Sequence, residues 1–177
     1  PPCPADLPSP CPPICQHPSL SVALVHLLAL GVNRFAINAH LPPESFQNFF
    51  ATNGYAGVPI SVIHKPDLLE TGGGIKNAEA LLGTDPFLTY SGDILTDINL
   101  QPLIDEHFRR GNDVTLALRH TGLASGVSLR DHRVVDIANL YGIPGNFDFA
   151  NIPVWNPAIF QRIQPHKKTS FIPLLPD

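Results

Sequence analysis

Segments with helical and strand-like patterns alternate along the first two thirds of the chain, and the connections between them are short. In chain order the pattern predicts a helix at 19–30, a strand at 34–39, a helix at 44–52 and a strand at 58–64. Two parallel strands can be joined only through a crossover connection, which is usually a helix. The alternation therefore predicts βαβ units and a parallel sheet.

The following part of the chain continues this alternation and then changes character. We expect a helix at 75–82, a strand at 86–90, a helix at 100–110 and a strand at 113–118. Beyond them the pattern predicts a hairpin with arms at 126–129 and 133–137, a strand at 147–155 and a short helix that ends at 163. Neither a repeat nor a linker-like stretch interrupts the chain, so residues 1–177 are expected to form one domain.

Three consecutive glycines, Gly72, Gly73 and Gly74, precede the predicted helix at 75–82. A glycine turn at a helix N-terminus suits phosphates or a nucleotide, because uncovered N–H groups and the helix dipole point at the ligand. A flexible left-handed turn is the alternative. Thr71 offers a hydroxyl at the same place, and Glu70 either accepts hydrogen bonds from sugar hydroxyls or caps the turn.

A carboxylate, Asp93, ends the predicted strand at 86–90, and Asp97 follows four residues later. Open α/β sheets bind ligands beyond the carboxyl ends of their strands, and a carboxylate there is a natural Mg²⁺ ligand. The alternative for Asp93 is a capping or turn residue, which is also the role we expect for Asp97. Because one helix and one strand join the glycines to Asp93, both features are expected to line one cleft.

Composition and charge exclude several classes of function. The 177 residues are 44% hydrophobic and 15% charged, which is typical of a globular domain, and the formal charge of −4 argues against nucleic acid or an anionic membrane as partner. The cysteines, Cys3, Cys11 and Cys15, are odd in number and no secretory signal is visible, which favours reduced thiols in a cytoplasmic protein. The histidines show no metal-site spacing, and no serine lies in a nucleophile elbow.

Five stretches of the sequence resemble the sugar-1-phosphate nucleotidyltransferases, and especially their bacterial uridylyl- and guanylyltransferases. They read LPSPCPPI at 7–14, LVHLLALGVNRFAINAHLPPE at 24–44, LLETGGGIKNA at 68–78, FLTYSGDILTD at 87–97 and FANIPVWNPAIF at 149–160. The resemblance implies a three-layer, Rossmann-like α/β fold of the nucleotide-diphospho-sugar transferase type, with a mostly parallel sheet and helices on both faces.

The resemblance also implies a reaction, its cofactor and its partners. In such enzymes a sugar 1-phosphate attacks the α-phosphate of a nucleoside triphosphate, pyrophosphate leaves, and a nucleotide sugar is released. Mg²⁺ bridges the phosphates and neutralises their charge, so catalysis is mainly positioning and electrostatics. Whether the protein is a monomer or a homo-oligomer stays open, as do the identities of the base and the sugar.

The resemblance assigns roles to individual positions. Thr71 and Gly72, taken together with Gly73, match the segment that contacts the nucleotide base. Asp93 matches the catalytic aspartate that binds Mg²⁺ at the end of its strand.

Three further positions are assigned to the sugar. Gly126 matches a glycine beside the sugar, and Glu70 is the second expected contact. Asn151 falls in a strand that contacts the sugar in the family, although glycine is usual at that position.

Three features of the family are missing from the sequence as it stands. The family begins with a strand and a glycine-rich loop of the form L-A-A-G-x-G-x-R, its phosphate-binding lysine corresponds to Ser9 here, and its second metal aspartate falls beyond Asp177. We therefore expect a nucleotidyltransferase domain without its first strand, its glycine-rich loop and its C-terminal end.

Two alternatives to a nucleotidyltransferase remain. The first is a non-catalytic relative that binds a nucleotide or sugar and releases no pyrophosphate. The second is a metal-dependent glycosyltransferase of related fold, in which Asp93 would hold the metal of a nucleotide-sugar donor. The second expects an Asp-x-Asp motif, whereas three residues separate Asp93 from Asp97.

Overall fold

The structure of the chain, a computed structural model, describes residues 13–14, 17–39, 54–64, 70–120, 126–165 and 167–170. Its helices are α1 (Ser19–Ala29), α2 (Glu70–Asn77), α3 (Glu79–Leu82) and α4 (Gln101–Arg110), followed by a 3-10 helix at Pro157–Arg162. Its strands are β1 (Pro13–Ile14), β2 (His17–Pro18), β3 (Phe35–Ala39), β4 (Ile60–His64), β5 (Phe87–Leu88), β6 (Val114–Arg119), β7 (Val127–Arg130), β8 (Arg133–Ile137) and β9 (Asp148–Trp155). None of the helices in this described part of the chain has the length and apolar character that crossing a membrane requires.

Helix α1 packs through one apolar stripe, as its sequence pattern predicts. Leu24 and Leu27 are buried, whereas Val25 is 56% exposed on another side of the helix. Gly31, with φ of 81°, follows the last turn in the left-handed conformation that favours glycine. The predicted helix at 19–30 is therefore confirmed, one residue shorter.

Strands β3 and β4 form a parallel ladder, in which Phe35 pairs with Ile60 and Ala39 with His64. This confirms the parallel arrangement expected for two consecutive strands in a βαβ unit. The helix predicted between them, at 44–52, lies outside the described residues.

Strand β9 is the centre of a second sheet, with β5 on one side and β6 on the other. It runs antiparallel to both neighbours, so β5 and β6 run parallel to each other. Within the described residues only the β3–β4 ladder is parallel, and the expectation of a mostly parallel sheet is not confirmed there. The reason is that β9 follows a hairpin rather than a crossover helix, and therefore returns in the opposite direction.

Two apolar clusters hold these elements together. The first is formed by Leu24, Leu27, Phe35, Leu100, Ala117 and Ile152. The second is formed by Ile75, Phe87, Trp155, Ile159, Phe160 and Ile163. The first cluster takes residues from α1, from the parallel pair and from the β9 sheet, so it fixes the two sheets against each other. The indole N–H of Trp155, which is 0% exposed, donates to the hydroxyl of Thr89 at 2.9 Å.

The three glycines do not form a turn, so the prediction of a glycine turn before a helix is wrong. Helix α2 begins at Glu70, and Gly72, Gly73 and Gly74 lie buried inside its first two turns. The N–H groups of Gly72 and Gly73 donate to the carbonyl oxygen of Thr169, at 2.9 and 3.2 Å. These bonds satisfy donors that a helix start otherwise leaves open, and so support a helix through residues of low helix propensity.

The hairpin formed by β7 and β8 confirms the arms predicted at 126–129 and 133–137. Its turn consists of Asp131 and His132, with φ of 52° and 63°. Left-handed backbone at both turn residues is the geometry of tight hairpin turns, and Asp and His are among the residues that tolerate it.

Candidate functional site

The first turn of helix α2 presents two exposed polar side chains, Glu70 and Thr71. Glu70 has a φ of 57°, and its carboxylate lies 3.5 Å from the ammonium group of Lys168. The backbone N–H groups of Gly72 and Gly73 are bonded to Thr169, so this helix start does not present them to an anion. The side chains of Glu70 and Thr71 are therefore what this turn offers to a ligand, whereas Gly72, Gly73 and Gly74 are buried.

Helix α2 is fixed at the carboxyl end of the parallel pair. The side-chain amide of Asn38, the last residue but one of β3, donates to the carbonyl oxygen of Gly74 at 2.7 Å. The next residue, Ile75, packs in the cluster that contains Phe87 of β5 and Trp155 of β9. The glycine segment therefore lies between the carboxyl end of β3 and the β5–β9 sheet, as a ligand site in an α/β fold requires.

Lys76 is a structural residue in this arrangement. Its ammonium group donates to the carbonyl oxygen of Phe160 at 2.8 Å and pairs with Glu79 at 2.7 Å. It also lies 5.9 Å from the ring centroid of Phe160. These contacts tie α2 to the 3-10 helix, so a ligand is not needed to explain the position of this lysine early in α2.

Asp93 lies in an exposed turn that follows β5, where the sequence predicts it. The N–H of Ile94 donates to the carbonyl oxygen of Ser91 at 3.1 Å and closes the turn. Tyr90 and Ile94 pack against the first apolar cluster on either side of it. Within the described part of the chain the carboxylate of Asp93 has neither a hydrogen bond nor an ion pair, so it is open to a ligand.

Asn151 lies at an irregularity of β9, where the register against β6 shifts between Leu116 and Leu118. Its φ of 56° is left-handed, and its side chain is exposed. This backbone explains why glycine is usual at the corresponding position, and Asn is one of the few other residues that adopts it readily.

Strands β5 and β9 pair over two residues, and Asn151 and Asp93 both lie outside this pairing. Leu88 pairs with Val154, and the N–H of Thr89 donates to the carbonyl oxygen of Pro153 at 3.1 Å. Asn151 precedes these residues in β9 and Asp93 follows them in the turn after β5. The two residues therefore lie on the same side of this short pairing along the strands.

Gly126 lies at the start of β7, and its carbonyl oxygen accepts the N–H of Ala138 at 2.7 Å. A Cβ atom at this position would lie 3.8 Å from the nitrogen of Ala138, which is an ordinary contact. The fold alone does not require glycine here, which leaves room for a functional reason. The described contacts of Gly126 are with Ala138, directly after β8.

Asp93 is the residue that would bind a divalent cation at this site. Within the described residues no three His, Cys, Asp or Glu side chains cluster as a metal site would need. Mg²⁺ bound for phosphate chemistry commonly uses only one or two carboxylates together with phosphate oxygens and water. A single open carboxylate in the turn that follows β5 fits that mode of binding.

Tyr90 and His26 form an edge-to-face aromatic contact that sequence reasoning missed. Their rings lie 6.0 Å apart and nearly perpendicular. Burial raises the pKa of Tyr90 above its ordinary value of 10.0. The hydroxyl of Tyr90 and Nδ1 of His26 are both buried without a hydrogen-bond partner among the described residues. The contact depends on tertiary packing between distant segments, whereas the sequence pattern identified Tyr90 only as a strand residue.

Comparison with known proteins points to one kind of enzyme. The sequence is 30% identical over 115 residues to the mannose-1-phosphate guanylyltransferase of Mycobacterium tuberculosis, covering 65% of this chain and 32% of that protein. It is 28% identical over 171 residues to the D-glycero-alpha-D-manno-heptose 1-phosphate guanylyltransferase of Aneurinibacillus thermoaerophilus, covering 94% of this chain and 74% of that protein. No protein-family model matches the sequence.

The solved structures agree with these relatives. The crystal structure of HddC from Yersinia pseudotuberculosis complexed with GMP-PN superposes with a TM-score of 0.75 at 21% identity, covering 95% of this chain and 75% of that one. Mixed α/β content and this superposition show the nucleotide-diphospho-sugar transferase fold. Together the comparisons confirm the resemblance to the sugar-1-phosphate nucleotidyltransferases.

Proposed function

We propose that this chain carries out nucleotidyl transfer to a sugar 1-phosphate. A phosphate oxygen of the sugar 1-phosphate forms a bond to the α-phosphorus of a nucleoside triphosphate, and the bond from that phosphorus to the β-phosphate oxygen breaks. Pyrophosphate leaves with the bonding electrons, and the nucleotide sugar is the second product. The single observation that carries this proposal is the carboxylate of Asp93, which is exposed in the turn after β5 and has neither a hydrogen bond nor an ion pair among the described residues.

Asp93 is proposed as the residue that holds Mg²⁺. The cation, when bound, neutralises phosphate charge and orients the triphosphate for in-line attack. The turn at Asp93 is closed by its own backbone and anchored by Tyr90 and Ile94, so the backbone that carries the carboxylate is held in position before ligands arrive. This preorganisation is what electrostatic catalysis requires.

The nucleotide is proposed to lie against the start of helix α2. Thr71 presents a hydroxyl to the base. Gly72 and Gly73 are buried, and their proposed role is to fix the helix start that carries Thr71. Their N–H groups are already bonded to Thr169, so the exposed Thr71 hydroxyl is proposed to provide recognition. The position of α2 at the carboxyl end of β3 supports this role.

The sugar is proposed to lie between Glu70, Gly126 and Asn151. Glu70 supplies a carboxylate for hydroxyl groups, and Asn151 supplies an amide from a left-handed position. Gly126 leaves space beside the hairpin.

The domain organisation, the cellular compartment and the oligomeric state belong to the same proposal. We infer a single domain over 1–177 with three layers and a mostly parallel sheet, supported by the parallel β3–β4 ladder and by the shared direction of β5 and β6. We also propose a cytoplasmic protein, in keeping with the reduced state expected of its cysteines and with the proposed nucleotide substrate. A homo-oligomer stays open beside a monomer.

Pyrophosphate release by the purified full-length protein tests the proposal. GTP, UTP, CTP and dTTP are each combined with mannose 1-phosphate, glucose 1-phosphate or N-acetylmuramate 1-phosphate, with Mg²⁺ or with a chelator. The proposal expects release from at least one pair, and only when the triphosphate, the sugar 1-phosphate and Mg²⁺ are all present. Release without the sugar 1-phosphate would instead indicate a triphosphate hydrolase.

A non-catalytic binding protein is the second candidate, because Ser9 replaces the family's phosphate-binding lysine. A lysine–phosphate contact is a charge-assisted hydrogen bond, and its loss weakens binding of the triphosphate. Calorimetric binding of a nucleotide or a sugar 1-phosphate, without pyrophosphate release from any pair, would favour this candidate over the enzyme.

A further inference from the structure

Residues 138–147, between β8 and β9, fold back on the hairpin and are termed the return loop. The N–H of Ala138 donates to the carbonyl oxygen of Gly126 at 2.7 Å. At the other end, Val127 exchanges backbone hydrogen bonds with Phe147 at 2.9 and 3.1 Å. The two ends of the loop are therefore bonded to Gly126 and Val127, at the start of the hairpin.

A buried pair of polar side chains holds the middle of the return loop. Ser128 and Asp136 are cross-strand partners and are 4% and 2% exposed. The Oδ2 atom of Asp136 accepts the N–H groups of Tyr141 and Ile143, at 3.1 and 2.8 Å. The hydroxyl of Ser128 donates to the carbonyl oxygen of Ile143 at 2.8 Å. Both backbone groups of Ile143 are thus held by one pair of side chains.

This arrangement is not what stability alone would select. The Oδ1 atom of Asp136 is buried without a hydrogen-bond partner among the described residues, and a buried carboxylate oxygen without a partner is destabilising. Ala138 and Asn139 have φ of 54° and 58°, which is unfavourable for alanine in particular. Strained backbone and unsatisfied polar groups are kept where a defined local shape has a use.

We propose that Asp136 and Ser128 are positioning residues that fix the return loop as one wall of the sugar 1-phosphate site. The inference rests on the proposed function, and specifically on the assignment of Gly126 to the sugar side. Neither side chain reaches the ligand, since both are buried. They act through the loop backbone beside Gly126, where a shift of the loop changes the space open to the sugar.

Kinetics of single variants test this role. Asp136→Ala removes the acceptor for two N–H groups, and we expect KM for the sugar 1-phosphate to rise about tenfold, with KM for the triphosphate within about twofold of the original. Asp136→Asn keeps one carbonyl oxygen for both N–H groups and is expected to restore KM to within about twofold. Asp85→Ala, the same change at an exposed position, is the matched control and leaves both constants unchanged.

Ser128→Ala provides a milder variant in case Asp136→Ala does not fold. It removes only the bond to the Ile143 carbonyl, and the expected rise in KM for the sugar 1-phosphate is about threefold. A wild-type KM in both Ser128→Ala and a folded Asp136→Ala would overturn the proposal. Equal changes in KM for both substrates would also overturn it, because they would indicate a general loss of structure.

Hydrogen exchange separates this inference from the proposed function. In the wild-type protein, a bound sugar 1-phosphate is expected to slow exchange of amides in residues 138–147, whereas the triphosphate alone leaves them unchanged. If no substrate pair releases pyrophosphate, the proposed function fails, and slowed exchange with a sugar 1-phosphate would still support the loop as a binding wall. Exchange that is unaffected by every sugar 1-phosphate overturns the inference.

Discussion

The side-chain amide of Asn38 donates to the carbonyl oxygen of Gly74 at 2.7 Å, between positions 36 residues apart in the chain. This bond joins the end of a parallel strand to the helix that holds all three glycines. Because Gly74 is buried and its neighbours Gly72 and Gly73 are bonded to Thr169, the glycine segment is held from two sides. The position of the proposed nucleotide surface depends on these contacts.

Replacement of Asn38 with alanine tests how far this bond holds helix α2. We expect the free energy of unfolding to fall by about 1 kcal/mol, the usual net contribution of one hydrogen bond. Urea titration followed by the fluorescence of Trp155, the single tryptophan, measures the change. Asn33→Ala, at an exposed position just before β3, is the control and is expected to change stability by less than about 0.5 kcal/mol. An equal loss in both variants would contradict the role of the Asn38 bond.

Thr71 provides a test of the nucleotide surface. Thr71→Val keeps the shape of the side chain and removes its hydroxyl, so KM for the triphosphate is expected to rise about fivefold, equivalent to about 1 kcal/mol. Stability is expected to stay within about 0.5 kcal/mol, because the side chain is exposed. Thr84→Val, an exposed threonine in the turn after α3, is the matched control. If Thr71→Val left KM unchanged, the base would have to be recognised elsewhere.

The periodicity of apolar residues was sufficient to predict the helices and strands with regular patterns. In α1 and in the β7–β8 hairpin, local sequence and tertiary packing favour the same structure, so the predictions are correct to within about two residues. The reversed strand β9 was predicted as a strand, but its direction depends on which neighbours it pairs with. Pairing between distant segments is not encoded in a local pattern.

The glycine segment shows where local propensity misleads. Three consecutive glycines argue against a helix, yet Gly72 and Gly73 are helical because a distant carbonyl, that of Thr169, accepts their N–H groups. A contact 96 or 97 residues away along the chain leaves no trace in the local pattern. The sequence has Asn151 at a position where glycine is usual, and the left-handed backbone of this residue accounts for that preference.

Burial of His107 makes the stability of the folded protein depend on pH. The imidazole is 2% exposed, its Nδ1 lies 3.0 Å from the hydroxyl of Thr115, and burial lowers its pKa below the ordinary value of 6.5. Between the folded pKa and 6.5 the unfolded chain therefore binds more protons than the folded one. Its contribution to stability is full above about pH 6.5 and is lost as the pH falls through the folded pKa.

Thermal unfolding of His107→Asn between pH 5 and pH 7.5 checks this dependence. The variant is expected to lose less of its stability than the wild type as the pH falls, because one group that protonates on unfolding is gone. His132→Asn, at the exposed turn of the hairpin, serves as the control for the same substitution. Identical pH slopes in wild type and His107→Asn would contradict the effect of burial on this histidine.

The most direct test of the central claim is Mg²⁺-dependent pyrophosphate release by Asp93→Asn, measured with a substrate pair on which the wild-type protein is active. The substitution keeps the size of the side chain and removes the charge that holds the cation. We expect kcat to fall at least about 100-fold, because metal binding supplies several kcal/mol of charge stabilisation in the transition state. The thermal midpoint should be unchanged, since the carboxylate is exposed, and Asp85→Asn should keep full activity. Full activity in a folded Asp93→Asn would contradict the assignment of the metal site.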